Sequence, residues 1–205
     1  MCKTVLAVTL VAAFAVPYAS AQSMSDCHST KDPKIAHPAC EKVIGDASHD
    51  ARTHAIAYGV RGKLFHRAQN YDEAIAVLTK GIEVDPTYAI LFSSRGMSYY
   101  SKNELELAKS DFDEAIRLNP KDLEPLANRA ILRYSTSDYA GAAEDFSAAI
   151  HLSPKMPVLY SYRGKSWLSA GEAEKAAADF RKVLELDPAN EEARGMLRDL
   201  GMEPK

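Results

Sequence analysis

Two sets of residues have the types and spacing to do chemistry. The first is N-terminal: His28, His37, His49 and His54, four of the six histidines, lie close in sequence to Cys27 and Cys40. Imidazole and thiolate are ligands that zinc and copper accept. Cys27-His28 and His37-x2-Cys40, however, do not reproduce the paired C-x2-C or H-x3-H ligands of a structural zinc centre. A metal- or small-ligand-binding protein built on this segment is therefore the alternative reading, and no metal ligand or cofactor is assigned. The second set is Arg61, Arg95, Arg129 and Arg163, which recur every 34 residues. A row of guanidinium groups could bind anions as a ladder. Asp111, Asp145 and Asp179 recur at the same interval, so the simpler expectation is an arginine–carboxylate pair in each interval. Such partly buried pairs set register more than they add stability. Val77 stands where the first carboxylate would be, so Arg61 needs another partner.

The chemistry of catalysis has little to rest on. The chain contains no G-x-S-x-G, no H-E-x-x-H, no phosphate-cradling glycine loop and no C-x-x-C-H. His151 falls near the end of a helical run, where a cation is favoured by the helix dipole, and is not assigned as a general base. No catalytic residue is named and an enzyme is not expected. With 205 residues and a formal charge of −3, the chain fits one soluble domain or one short array. The absence of a Lys/Arg stripe or aromatic stacking platform argues against a nucleic-acid partner.

Residues 1–21 read as an export signal: Lys3, an apolar run from Val5 to Val16, then Ala19-Ser20-Ala21 as a small-x-small cleavage site. The run is too short to span a bilayer, which needs roughly 20 residues. Gln22 is then the first mature residue, with no stable membrane insertion after removal; an uncleaved anchor is the bland alternative. Export, here to a bacterial periplasm, leaves Cys27 and Cys40 as the only two cysteines in an oxidising compartment, which favours a disulfide between them.

These residues must be positioned by a repeat. Tyr71 to Pro86 returns as Leu105 to Pro120, Tyr139 to Pro154 and Ala173 to Pro188, each 34 residues after the last. Ala74, Ala108, Ala142 and Ala176 recur; four residues on come Leu78, Phe112, Phe146 and Phe180; three further on come Gly81, Ala115, Ala149 and Val183. Steps of four and three place them on one helical face. A second run precedes each, with Tyr58, Phe92, Leu126 and Tyr160, then Gly62, Gly96, Ala130 and Gly164, then Phe65, Tyr99, Arg133 and Trp167. Small residues let two helices approach closely, so each period reads as an antiparallel helix pair.

At these positions, from Ala55 to Pro188, the chain resembles the tetratricopeptide repeat family, whose pattern is W-x2-L-G-x2-Y, then A-x3-F, then P. Two departures stand out: arginine replaces the pattern's leucine in every repeat, and Arg133 replaces an aromatic in the third, which suggests a looser third pair. The resemblance implies an all-α, right-handed superhelical solenoid with four full repeats at residues 55–88, 89–122, 123–156 and 157–188. The expected helices are Ala55 to Ala68 and Tyr71 to Val84, Ala89 to Lys102 and Leu105 to Leu118, Leu123 to Thr136 and Tyr139 to Leu152, and Pro157 to Ala170 and Ala173 to Leu186. Residues 22–54 are expected to hold a degenerate N-terminal half-repeat tied by Cys27 and Cys40. Their separation of 13 equals that of Phe65 from Leu78. Pro38 should interrupt its second helix, which would begin only there. Residues 189–205 supply a capping helix, Glu191 to Leu200, with Asn190 as N-cap and Gly201 past its end.

The family uses its first helices to line a concave groove, which makes the expected function protein–protein interaction: an adaptor or scaffold that binds a protein or peptide segment. The groove positions are Lys63, His66, Arg67, Met97, Tyr100, Ile131, Tyr134, Lys165 and Leu168. The middle is then aromatic and apolar with cations at both ends, suited to a segment apolar in its centre and acidic near its ends. Relatives that grip chaperone tails surround a terminal carboxylate with Lys, Asn and Arg. At the matching positions stand Gly59, Lys63, Ser94, Glu124 and Ala130, of which only Lys63 is suitable. Asn128 stands alone, so no asparagine ladder is formed. The sequence sets no oligomeric state.

Overall fold

The computed structural model describes residues 18–29 and 33–202. The described chain is all-α, an α-solenoid of helix pairs: α1 (Tyr18–Ser29) with α2 (Pro33–Gly45), α3 (Ala51–Arg67) with α4 (Tyr71–Val84), α5 (Ala89–Ser101) with α6 (Leu105–Leu118), α7 (Leu123–Ser135) with α8 (Tyr139–Leu152), and α9 (Pro157–Ser169) with α10 (Ala173–Leu186). A single helix, α11 (Glu191–Asp199), closes the C-terminal end. Of the export signal expected at residues 1–21, the first 17 lie outside the described residues, and Tyr18 to Ala21 begin α1.

Two local devices are copied in every full repeat. The second helices end at Asp85, Asn119, Ser153 and Asp187, with φ of −141°, −140°, −140° and −138°. Each precedes a proline, whose ring pushes the residue before it out of the helical region. The first helices end instead in a left-handed residue, with φ of 61° at Gln69, 62° at Asn103, 65° at Ser137 and 82° at Gly171. There the chain reverses: the Asn70 amide donates to the Phe65 carbonyl and the Gln69 amide to that of His66, both at 2.9 Å. This paired closure satisfies carbonyls that the helix end would otherwise strand.

Close approach within a pair needs small residues at one level. A Cβ on Gly62 would fall 2.4 Å from Leu78 Cγ, and one on Gly96 would fall 2.8 Å from Phe112 Cε1. The third repeat has Ala130 at this level, fully buried, and Arg133 where the others have an aromatic. Arg133 replaces ring packing with polar ties across the α7–α8 gap, donating to the Gly141 carbonyl at 3.0 Å and lying 3.2 Å from Asp145.

The recurrent arginines are staples. Arg95 grips Asp111 through two bonds of 2.8 Å and donates to Thr79 on the preceding second helix at 3.0 Å. Arg129 repeats this with Asp145 at 2.9 and 2.6 Å and with Asp113 at 2.6 Å. Arg163 does so with Asp179 at 2.8 and 2.6 Å and with Ser147 at 3.0 Å. Each therefore joins its own pair and stitches that pair to the one before. The aspartate hydrogen bonds raise the pKa of all three guanidinium groups. Arg61, which lacks an aspartate opposite, finds Glu41 on α2 at 2.5 Å. Their charges are spent on the scaffold, so the row is not an anion ladder.

The N-terminal segment departs most from expectation. It is a two-helix unit, and α2 starts at Pro33 and runs through Pro38. Pro38 is exposed, so its ring stands clear of the neighbouring helix. A disulfide joins Cys27 to Cys40, both fully buried beside Ala39, Val43 and Ala57. The bond thus lies in the core between this unit and α3. That third helix begins at Ala51 rather than at the expected Ala55, because Asp50 caps it, accepting from the Thr53 amide at 2.7 Å. At the other end the Asn190 side chain accepts from the Ala193 amide at 3.0 Å, and Ala193 and Leu197 close the core over Phe180 and Val183.

Candidate functional site

Successive first helices pack on one another, α1 on α3, α3 on α5 and α5 on α7, whereas successive second helices touch far less. The stack is therefore curved with the first helices inside, and their free faces form the trough floor.

The expected groove residues are sorted into two places. Lys63, His66 and Arg67 of α3, Ser94 and Met97 of α5 and Glu124 of α7 line a cleft of about 340 Å³. Ile131 and Tyr134 of α7, Phe146 of α8, and Tyr162 and Lys165 of α9 line a smaller apolar dimple of about 90 Å³. Tyr100 lines neither; it packs with Met97 against the cluster of Ala108, Phe112 and Leu132. Leu168 packs on the C-terminal core.

The dimple keeps two large rings in solvent. Tyr134 is 38% exposed and Tyr162 42%. The Tyr162 ring stacks on Phe146 with centroids 5.5 Å apart, and the Tyr134 hydroxyl meets Ser169 Oγ at 3.1 Å. Both rings are thus held in place without being covered, a pre-ordered apolar contact surface. Lys165 borders the dimple with its charge already used: its Nζ lies 2.6 Å from Glu192. Tyr162 escaped the sequence reading because the equivalent positions, Val60, Ser94 and Asn128, share nothing with it. The usable signal was one helical face of α9, Val158, Tyr162 and Lys165.

The cleft has a different character. Lys63, Arg67 and the Glu124 carboxylate have no charged partner among the described residues. His66 is half-buried, and that burial pushes its pKa below the ordinary 6.5, so the ring is neutral near pH 7. Its Nδ1 lies 3.1 Å from Ser98 Oγ, which in turn donates to the Ser94 carbonyl at 3.1 Å. With the hydroxyl proton so used, Nδ1 is the donor and Nε2 is left as an acceptor. Ser94 is 6% exposed and its hydroxyl has no hydrogen-bond partner.

Two other features offer less. A hollow of about 620 Å³ beside α6 is lined by Arg95, Lys109 and Arg117, but each of these cations is already paired, with Asp111, Asp113 and Glu114. The N-terminal histidines do not gather into one group: His49 and His54 meet edge to face with centroids 6.2 Å apart, but among the described residues no three His, Cys, Asp or Glu side chains are grouped to hold a metal. His37 lies against the Phe65 ring with centroids 4.5 Å apart, His54 Nε2 bonds the Asp46 carbonyl at 3.0 Å, and the two cysteines are bonded to each other.

Comparison with known proteins gives consistent results. Two repeat descriptions match in sequence: "TPR repeat" over residues 62–103 and "Tetratricopeptide repeat" over residues 94–157 and 128–191. No curated protein matches the chain. Among solved structures, MamA is similar with a TM-score of 0.68 and 21% identity, covering 83% of this chain and 92% of MamA. PilF of Pseudomonas aeruginosa gives 0.66 and 21%, covering 73% of this chain and 68% of that one. The first TPR of Spaghetti (RPAP3), solved with the HSP90 peptide SRMEEVD, gives 0.52 and 26%, covering 55% of this chain and 90% of that one.

Proposed function

Because the chain belongs to the tetratricopeptide repeat family, we propose that it is a non-catalytic adaptor that holds a segment of a partner protein in the trough of its first helices. The observation that carries this reading is the exposed, pre-ordered pair Tyr134 and Tyr162 in line with a cleft whose charges are unspent. Aromatic rings fixed by their own neighbours lose little freedom on binding, so they contribute contact area at low entropic cost. The structure of the RPAP3 repeat with a peptide supports the same use of the fold. The buried Cys27–Cys40 bond and the sequence of residues 1–21 support an exported protein, and we place it in a bacterial periplasm. No helix among the described residues is long and apolar enough to cross a membrane.

The test is site-specific photocrosslinking. A benzophenone side chain at position 134 should capture a discrete partner from periplasmic extract, while one at the exposed Leu107 on α6 should not. Tyr134→Ala combined with Tyr162→Ala should abolish competition for that capture while helix content is kept. Equal capture from both positions, or full competition by the folded double variant, would overturn the groove reading.

A further inference from the structure

The cleft of about 340 Å³ holds charges of both signs that the fold leaves unspent. Lys63 and Arg67 stand on α3 and Glu124 on the first turn of α7, and none is paired with a described residue. Opposite charges that come within reach in this fold close on one another, as in Lys165 with Glu192 at 2.6 Å or Arg61 with Glu41 at 2.5 Å. Here the helix positions hold them apart across an open gap. The wall between them is Ser94, Met97 and the neutral His66.

Such a gap discriminates by sign at two points. A purely acidic segment would satisfy Lys63 and Arg67 but bring like charge to Glu124, and a purely basic one would do the reverse. A segment with an acidic side chain next to a basic one on the same face satisfies all three. In an extended chain, side chains two residues apart share a face and lie about 7 Å apart, a span that a cleft of this size accommodates.

Resting on the groove reading above, we infer that the trough recognises a dipolar motif of its partner segment. An Asp or Glu docks on Lys63 and Arg67, and a Lys or Arg two residues away docks on Glu124. Glu124 is thus the residue that turns the trough away from all-acidic tails. Like-charge rejection of this kind is a common source of specificity.

The experiment is selection of random nonapeptides displayed on phage against the mature protein, against its Glu124→Lys variant, and against Tyr134→Ala/Tyr162→Ala. Circular dichroism confirms that each variant is folded. Wild-type selections should be enriched in acid–x–base motifs, and Glu124→Lys should exchange these for acidic runs. For synthetic peptides of the two kinds, preference should swing by about twofold to fivefold, the effect of one exposed charge pair. Acidic runs selected by wild type and Glu124→Lys alike would overturn the dipolar motif while leaving the groove reading intact. Displacement of selected peptides by millimolar free lysine or glutamate would overturn it in favour of a small-molecule site. Wild-type enrichment no greater than that of the double tyrosine variant would overturn both.

Discussion

Replacing Arg163 by leucine, the residue the family pattern has at this position, should destabilise the fourth repeat by about 3 kcal/mol. Arg163 makes two bonds to Asp179 and one to Ser147, and its side chain is 22% exposed against 6% for Asp179. Leucine fills the space but strands a buried carboxylate whose ion pair among the described residues is with Arg163. Breaking a buried pair costs about 3–5 kcal/mol, and residual exposure of the arginine argues for the lower figure. For a domain of this size that corresponds to about 6–12 °C in melting temperature. The stranded charge, rather than the lost attraction, should account for most of it. Arg163→Leu with Asp179→Val, which copies Val77 of the first repeat, should therefore recover to within about 1 kcal/mol of wild type. Urea and thermal unfolding should be followed both by circular dichroism and by fluorescence of Trp167, the only tryptophan, which reports on the affected repeat. Two probes are needed because repeat arrays need not unfold as one unit. If the single variant melts within about 2 °C of wild type by Trp167, a shift below 1 kcal/mol, the staple is not holding the repeat. If the double variant is as unstable as the single, the loss comes from the stitch to Ser147 and the stranded-charge reasoning fails.

Three further outcomes follow from the scaffold. Ser137→Gly should raise stability by about 0.5–1 kcal/mol, since Ser137 holds a left-handed φ of 65° that its Cβ opposes, and Gly171→Ser should lower it comparably; urea midpoints would check both. Acid should loosen α2 from α3: burial, and then Arg61, depress the His37 pKa below 6.5, with Glu41 opposing. The folded state therefore prefers the neutral ring, so this contribution is complete above pH 6.5 and is lost as pH falls below it; His37→Gln should flatten the pH dependence of the urea midpoint in that range. Cys27→Ser with Cys40→Ser should cost about 3 kcal/mol, read as faster amide exchange in α1 and α2 with Trp167 unfolding little changed.

The second helices were legible to the residue, from Tyr71–Val84 through Ala173–Leu186, because a proline two residues past each end fixes where helical geometry must stop. The start of α3 was not, because Asp50 lies in the irregular junction and the 34-residue frame carries no information there. Pro38 misled for a related reason. A proline inside a helix removes one bond to the carbonyl four residues back and crowds that carbonyl, a local cost that the burial of Ala36, Ala39, Cys40 and Val43 outweighs and that the sequence does not weigh. The first-helix turn was half-visible: Gly171 marks the left-handed position, but Gln69, Asn103 and Ser137 hide it in the other repeats.

The groove was legible in its residues and not in its residual charge. Lys63 and Lys165 occupy the same place in their repeats and looked equivalent as cations at the two ends of the trough. They differ because the ends differ. Beyond α10 the chain adds α11, whose first turn carries Glu191 and Glu192, and Glu192 reaches back to neutralise Lys165. The N-terminal unit sends its Glu41 to Arg61 instead, leaving Lys63 and Arg67 unpaired among the described residues. Periodicity reports which side chains share a face, but the capping elements fall outside the period and decide which charges survive. The polarity of this trough, cationic toward α3 and aromatic toward α9, is therefore a property of its caps. Glu192→Gln should extend the cationic character to the α9 end, raising the affinity for an acidic peptide by about twofold to fivefold at low salt and less at high salt. No gain at any ionic strength would mean that Lys165 is shielded by something other than Glu192, such as the Tyr162 ring 5.5 Å from its Nζ.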